Sequence, residues 1–309
     1  AVLTTGNFVV VWESKHLDSN YYHAHGKLFD SSGTDVTPDQ YIVAGANHYC
    51  NGHTFRGVGY TLESCAAFAT AEEEKYYFSF RQDTGECLSG GSCYPQYYDT
   101  NWNTYRIFDK IVNIASRTNG HINGNSVTAL TGGKFVVVYG ANSDIVGLRY
   151  DANFNGVETL IYWPQTGIVS FQVNAVNTGS TSDPSVARLS GDAFVVVFSR
   201  GTDIWAQEFF SDGKTRGTAY KINTYTTGNQ YYPRVARTGD DSFVVTWQSQ
   251  DQDGTGWGVY GQRFETSSSN PAQEKGTEFR VNTNTGNDDK FPSVAHRGSG
   301  KFVVAWESY

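Results

Sequence analysis

Phe-Val-Val-Val-Phe at Phe194–Phe198 is one of five copies of the phrase Phe-Val-Val-x-(Trp/Tyr/Phe), and these copies define the architecture of the chain. The other four begin at Phe8, Phe135, Phe243 and Phe302. From Phe135 onward, successive copies recur at nearly regular intervals. A phrase that recurs in this way indicates an internal repeat, in which each unit needs its neighbours to bury its apolar face.

Each copy lies within a longer cassette of four short segments. A Pro-x-Val-Ala phrase precedes it, as at Pro184–Ala187, and an apolar segment that ends in an aromatic residue follows it, as at Ile204–Phe209. A Gly-containing turn and a Phe-x-Val-Asn phrase complete the cassette, as at Phe279–Asn282, and Ile111–Asn113 is a partial match. Val, Ile and aromatic residues are typical of strands, and the Gly, Asn, Asp and Ser between them of turns. Four antiparallel strands at this period predict an all-β fold, a β-propeller-like array of four-stranded repeats.

The segments of the cassette predict different degrees of burial. The Phe-Val-Val phrase is apolar on both faces, so we expect an inner, fully buried strand. The segment after it alternates apolar and polar residues, so one of its faces should be solvated. The proline should open its strand, where the missing N–H group costs least.

The first interval of the repeat is too long. Phe8 and Phe135 are separated by more than twice the spacing of the later copies, and all four cysteines fall within this interval. We therefore predict a small second domain at residues 45–106, with repeats at residues 1–44 and 107–309. Tyr41–Val43 should form the last strand of the first repeat, and residues 61–69 should form a helix in the insertion.

The cysteine content indicates an oxidising compartment. Four cysteines in a module of about 60 residues are typical of a small domain held by two disulfides. This usage predicts an extracellular or cell-surface protein. The spacing of Cys50, Cys65, Cys87 and Cys93 permits three pairings, and the lack of a Cys-x-x-Cys motif disfavours zinc.

Composition and motifs exclude several classes of function. The net charge of −8 argues against nucleic-acid and anionic-membrane partners, and no apolar run is long enough to insert into a membrane. The sequence has no motif of a serine hydrolase, a zinc protease or a phosphate-binding loop. Both ends fall inside a repeat and the chain lacks Met, which favours a processed or partial piece of a longer protein.

Two family resemblances rest on these phrases. The cassette that includes Phe279–Asn282, Pro292–Ala295 and Phe302–Trp306 resembles a tandem repeat of secreted and surface adhesin-like proteins. This resemblance covers most of the chain outside the insertion and implies an extracellular, propeller-like scaffold.

The insertion resembles an apple/PAN module. The resemblance rests on Leu62–Ala67, Tyr77–Phe80 and Gly85–Leu88. It implies a domain that contacts proteins or carbohydrates. It also implies that Cys65 pairs with Cys87 and that Cys50 pairs with Cys93.

Asp251 and Asp253 lie in the most site-like stretch of the repeats, Ser249–Trp257, which resembles the Asp-box turn of sialidase-type propellers with one residue inserted. Two aspartates in a Gly-containing turn favour a hydrogen-bonded hairpin. The alternative is a calcium site, because carboxylate oxygens are hard ligands.

Aromatic residues cluster near the end of the insertion, at Tyr94, Tyr97, Tyr98, Trp102 and Tyr105. On a loop, such residues are typical of interface anchors and sugar-stacking platforms. The alternative is that they cover the base of a small module and pack against the scaffold.

Together these features predict a non-catalytic extracellular structural or interaction protein without a cofactor. Its repeats would present the apple-like module to other protein subunits or to copies of itself, as in a fibre or an adhesin. A carbohydrate-binding lectin is the first alternative. A secreted glycosidase is the second, and it would require two carboxylates about 5–10 Å apart across a cleft.

Overall fold

In the computed structural model, the chain divides into two compact units, Ala1–Val36 with Asn113–Tyr309 and Thr37–Val112. The second unit contains the predicted insertion at 45–106. The predicted helix at 61–69 lies outside the described residues. The structure describes residues 1–3, 5–15, 22–36, 41–50, 54–57, 77–81, 86–90, 95–107, 112–115, 122–141, 143–150, 170–174, 180–254, 256–267 and 270–309.

Antiparallel strands dominate the first unit, as the repeat predicts, and they form five sheets numbered here in chain order. Sheet 1 contains β1 (Phe8–Lys15), β2 (Tyr22–Phe29) and β8 (Val112–Ala115). Sheet 2 contains β9 (Ile122–Ala129), β10 (Phe135–Ala141), β11 (Asp144–Tyr150) and β12 (Ser170–Gln172). Sheet 3 contains β13 (Thr181–Arg188), β14 (Phe194–Arg200), β15 (Asp203–Phe209) and β16 (Thr215–Lys221).

The last two sheets differ in completeness among the described residues. Sheet 4 contains β17 (Gln230–Gly239), β18 (Ser242–Gln250), β19 (Trp257–Ser267), β20 (Asn270–Glu274) and β21 (Phe279–Arg280). Within the described ranges, sheet 5 contains only β22 (Asp289–Gly298) and β23 (Lys301–Ser308).

Strand order within sheets 2, 3 and 4 follows the cassette. The Pro-x-Val-Ala strand lies at one edge, the Phe-Val-Val strand is second, and the Phe-x-Val-Asn segment pairs with the third strand. The Phe-Val-Val strands β10, β14 and β18 are buried along nearly their whole length. The expectation of a buried strand is confirmed there, because each such strand has a partner on both sides and a sheet against both faces.

Neighbouring sheets pack with a fixed polarity. Counting Phe of Phe-Val-Val as position 1, Val195 and Val197 at positions 2 and 4 of sheet 3 share a core with Phe243, Val245 and Trp247 at positions 1, 3 and 5 of sheet 4. Sheets 2 and 3 repeat this pattern. Each sheet therefore presents one set of alternate residues to the sheet before it and the other set to the sheet after it.

The two ends of the described array expose the faces that inner sheets cover. Val303, at position 2 of sheet 5, is 54% exposed, whereas Val195 and Val244 at the same position are fully buried. Val10, at position 3 of sheet 1, is 42% exposed, whereas Val245 is fully buried. Burial of the phrase therefore depends on its place in the array.

Three expectations about the cassette are wrong in detail. The third strands β11 and β15 are buried almost throughout, because another sheet covers each face, and only the second half of β19 alternates. Pro184 does not open its strand but lies inside β13, at an irregularity in the pairing with β14. Tyr41–Val43 does not complete sheet 1; it belongs to the second unit, and β8 takes its place.

The second unit contains a five-stranded sheet in the order β3-β7-β5-β6-β4. Its strands are β3 (Tyr41–Cys50), β4 (Thr54–Gly57), β5 (Tyr77–Arg81), β6 (Glu86–Gly90) and β7 (Pro95–Ile107). Strand β7 lies between β3 and β5 and pairs with both. Among the described residues of both units, no helix is long and apolar enough to cross a membrane.

Candidate functional site

The predicted partner-binding aromatics occupy a strand. Tyr97, Tyr98, Trp102 and Tyr105 lie in β7, between β3 and β5 of the five-stranded sheet, rather than on a loop. Their side chains and the whole of Tyr94 lie outside what the structure describes. A role in binding therefore stays a prediction for these five residues.

The disulfides also stay predictions. Cys50 ends β3 and Cys87 lies in β6 opposite Phe80, but neither side chain is described. Cys65 and Cys93 lie outside the described residues. The resemblance to an apple/PAN module is likewise untested.

Asp253 belongs to a hydrogen-bonding motif that recurs in three sheets. The asparagine of each Phe-x-Val-Asn phrase accepts a bond from a backbone N–H near the start of the third strand, at 2.7–3.0 Å, and donates to a nearby aspartate, at 2.8–3.2 Å. We call these residues the asparagine clamps; they are Asn174 with Asp144, Asn223 with Asp203, and Asn282 with Asp253. Asp253 therefore holds a turn that sheets 2, 3 and 4 share.

Asp251 has a similar structural role. Its N–H donates to Gly256 O at 2.7 Å, its Oδ1 accepts from the Gly256 N–H at 2.9 Å, and its backbone has a φ of 59°. These contacts match the hairpin that the sequence favours. The described residues contain no group of three or more His, Cys, Asp or Glu side chains that could hold a metal ion.

A different set of residues forms the candidate site. In each Pro-x-Val-Ala strand, the residue before proline has a positive φ: 55° for Asp183, 54° for Tyr232 and 52° for Phe291. Gly124, with a φ of 62°, takes the corresponding position in β9. The strand pairing shifts at each of these residues, so each is a β-bulge. We call Gly124, Asp183, Tyr232 and Phe291 the bulge column.

Contacts between sheets bring the bulges together. A Cβ on Gly124 would lie 3.3 Å from Asp183 Cα, and the rings of Tyr232 and Phe291 meet edge to face at 4.7 Å. The edge strands are held in register because Ser126 Oγ accepts the Val186 N–H at 3.1 Å. In the same way, Ser185 Oγ accepts the Val235 N–H at 3.2 Å.

The column combines aromatic, acidic and basic groups. Asp183 Oδ2 accepts a hydrogen bond from Ser182 Oγ at 2.7 Å and another from Ser199 Oγ at 3.4 Å. Arg234 follows the Tyr232 bulge, and its Nη1 donates to Pro233 O at 2.8 Å. Burial lowers the pKa of Arg234, while the nearby Asp183 and Tyr232 oppose this shift. Arg234 is therefore close enough to Asp183 for an electrostatic attraction between the two side chains.

Three residues of this column, Asp183, Tyr232 and Phe291, have strained backbone conformations. A residue before proline is restricted in backbone conformation, and a positive φ is uncommon for any residue other than glycine. Such strain costs of order 1–3 kcal/mol per residue and tends to collect at functional sites. Bulges also turn side chains out of the regular alternation. Here they turn Phe291, which is 41% exposed, toward Tyr232.

Sequence reasoning missed the column, although a signal was present. If the proline opened its strand, the residue before it would lie outside the strand. The sequence pattern therefore did not place Asp183, Tyr232 and Phe291 at equivalent strand positions. Arg234 is visible as a departure, because the variable position of Pro-x-Val-Ala holds serine in the copies at Pro184 and Pro292.

No family model and no curated protein matches the chain. Three solved structures resemble it at low similarity. A protein of unknown function from Dyadobacter fermentans has 11% identity and a TM-score of 0.43, over 99% of this chain and 88% of its own. An exo-1,5-alpha-L-arabinanase from a bovine ruminal metagenomic library has 12% identity and a TM-score of 0.41, over 77% and 85%. An endo-arabinase from Bacteroides thetaiotaomicron has 13% identity and a TM-score of 0.37, over 66% and 77%.

These comparisons correct one prediction. The exo-1,5-alpha-L-arabinanase and the endo-arabinase are enzymes, whereas the sequence predicts a non-catalytic structural or interaction protein. That prediction is withdrawn.

Proposed function

We propose that the protein recognises carbohydrate at the bulge column. The observation that carries the proposal is the aromatic pair of Tyr232 and Phe291, which two neighbouring strained bulges hold at the sheet edges. In this proposal the sheets are blades of a propeller-like array, with the Pro-x-Val-Ala strands innermost.

The chemistry of the column suits a sugar. Aromatic rings offer apolar faces to the C–H groups of a pyranose or furanose ring, and the Tyr232 hydroxyl can donate and accept hydrogen bonds. Asp183 can accept bonds from sugar hydroxyls, and Arg234 can donate to them. A few directed polar groups beside an apolar surface are typical of small-molecule and sugar sites.

Binding to immobilised or soluble polysaccharides tests the proposal directly. We would titrate the intact protein with a panel that includes α-1,5-arabinan, xylan, cellulose and a sulfated galactan, and measure affinity by calorimetry. Loss of an interface anchor typically costs more than about 1 kcal/mol, and roughly 1.4 kcal/mol corresponds to tenfold in affinity. Tyr232→Ala and Phe291→Ala should each weaken binding by about tenfold.

Phe210→Ala is the matched control. Phe210 is 48% exposed, close to the value for Phe291, but it lies in the β15–β16 hairpin, away from the bulge column. Its removal should leave affinity unchanged. The proposal fails if no polysaccharide in the panel binds, or if Phe210→Ala weakens binding as much as Phe291→Ala.

Glycoside hydrolysis is the second candidate. Asp183, beside Arg234, would supply one of the two carboxylates that this reaction needs, and the other three residues of the column carry none. Release of reducing ends from the polysaccharide that binds best would support it. Asp183→Asn should then abolish release while binding persists. Binding without release would assign the protein to the lectins. An extracellular location suits either activity and stays a prediction.

A further inference from the structure

A cavity of about 200 Å³ lies between sheets 2 and 3. It is away from the bulge column, because Lys134 and Asp192 lie at the opposite ends of their strand pairs from Gly124 and Asp183. Its lining residues come from both sheets and are mostly polar or charged: Leu130, Lys134, Arg149, Gly191, Asp192, Ser211 and Asp212.

Arg149 is the buried charge of this cavity. It is 8% exposed, and its Nε has no hydrogen-bond partner. Burial lowers the pKa of Arg149, and Asp212 and Asp192 oppose the shift. A buried guanidinium with an unsatisfied N–H group is costly, because charged groups leave water at a large free-energy penalty.

The acidic residues of the lining already have cationic partners. Asp212 Oδ2 lies 3.0 Å from Lys214 Nζ, and Asp192 Oδ1 lies 2.9 Å from Arg188 Nε. The backbone N–H of Thr131 also donates to Asp192 at 3.0 Å. Arg149 therefore shares its acidic neighbours with Lys214 and Arg188, and Lys134 is the second basic residue of the lining.

In the next sheet, a buried acidic residue occupies the same position. Val136 pairs with Arg149, and the equivalent Val195 pairs with Glu208, so the two charged residues occupy the same register position. Glu208 is fully buried, and its Oε1 accepts bonds from Tyr220 OH at 3.0 Å and from the Ala272 N–H at 2.5 Å. Its Oε2 lies 3.8 Å from Arg216 Nη1 and has no hydrogen-bond partner. Glu208 therefore has partners within the chain, whereas Arg149 lies beside a cavity.

We infer that the cavity binds a small oxyanion, a carboxylate or sulfate group, on Arg149 with help from Lys134 and Ser211. Guanidinium matches both groups through two parallel N–H···O bonds. The cavity is smaller than the pockets that hold drug-sized ligands, so it suits a single anionic group. This inference uses none of the residues of the proposed sugar site.

Calorimetric titration of the intact protein with sodium sulfate and with sodium acetate tests the inference. Ionic strength is held constant with sodium chloride, because exposed charges respond to salt alone. The wild-type protein should show saturable binding of at least one anion, and the two titrations distinguish sulfate from carboxylate. Arg149→Met should lower the affinity at least tenfold. The exposed Arg280→Met serves as the matched control and should change nothing.

Thermal unfolding in sodium chloride shows whether the Arg149→Met variant folds and how stable it is. Arg149→Met should be at least as stable as the wild type, because it removes a buried and poorly paired charge. If it fails to fold, Arg149→Lys, which keeps the charge but loses the planar pair of donors, replaces it and should weaken binding. Absence of saturable binding to the wild type, or equal binding by the Arg149 variant, would overturn the inference. Phe291→Ala should bind the anion normally even if the sugar site fails.

Discussion

The asparagine clamp of sheet 3 permits a quantitative prediction. Asn223 is 3% exposed and makes three hydrogen bonds: Oδ1 accepts from the Ile204 N–H at 2.8 Å, and Nδ2 donates to Asp203 Oδ1 at 2.8 Å and to Tyr225 O at 2.7 Å. Asn223→Ala removes all three without adding bulk. The Ile204 N–H and the Tyr225 carbonyl then lose their side-chain partner.

The size of the effect follows from the partners. Two neutral hydrogen bonds at about 1 kcal/mol each and one to a carboxylate at about 2 kcal/mol give roughly 4 kcal/mol. For a unit of about 230 residues, each kcal/mol lowers Tm by roughly 2–4 °C. We therefore expect the main unfolding transition to fall by about 8–16 °C.

Differential scanning calorimetry of the intact protein measures this change. Asn282→Ala removes the equivalent clamp of sheet 4 and should behave alike, since its bonds have similar lengths. Asn284→Ala is the matched control, because Asn284 is exposed and its side chain accepts only the Gly286 N–H in a turn. If Asn223→Ala shifts Tm by no more than Asn284→Ala does, the clamp does not stabilise the repeat.

Three further predictions concern packing and pH. Gly147→Ala should destabilise the protein by about 1–3 kcal/mol in urea unfolding, because a Cβ there would overlap the Phe171 ring. Val244→Ala should cost about 2 kcal/mol or more, since it deletes two methyl groups from a full core, whereas Val303→Ala, at the same repeat position but exposed, should change stability by less than about 0.5 kcal/mol. Burial raises the pKa of Tyr150 above its usual 10.0, so the unfolded state loses that proton first. Unfolding free energy measured from pH 8 upward should therefore be constant until about pH 10 and then fall, and Tyr150→Phe should reduce the fall.

Sequence alone predicts the repeat and its strands because their signals are local. The Phe-Val-Val phrase has the composition of a strand buried on both faces, and β10, β14 and β18 confirm it. The Phe-Val-Val phrase at Phe302–Trp306 lies in a largely exposed strand, because the exposure of such a strand depends on whether a further sheet covers it. The wrong expectation of a solvated third strand has the same origin, since strand periodicity carries no information about how many sheets stack.

The candidate site could not be predicted from the sequence. Asp183, Tyr232 and Phe291 are separated from one another by a whole repeat in the sequence, and only the packing of neighbouring edge strands shows that they form a column. Asp253 is the opposite case, because the sequence marks it as a candidate ligand and the structure places it in an asparagine clamp. Its neighbour Asp251 gives it the pattern of a calcium ligand, but its partner is Asn282, which belongs to the last segment of the cassette.

The fixed polarity of sheet packing has a consequence for how such a protein can change during evolution. At the boundaries between sheets 2 and 3 and between sheets 3 and 4, the earlier sheet contributes positions 2 and 4 and the later sheet positions 1, 3 and 5, so both boundaries use the same pair of surfaces. Duplication or loss of a whole cassette then joins faces that already fit, and the free energy of the array changes in steps of one unit and one boundary. Gene-level gain or loss of repeats could therefore alter the number of bulges in the column without requiring new core residues.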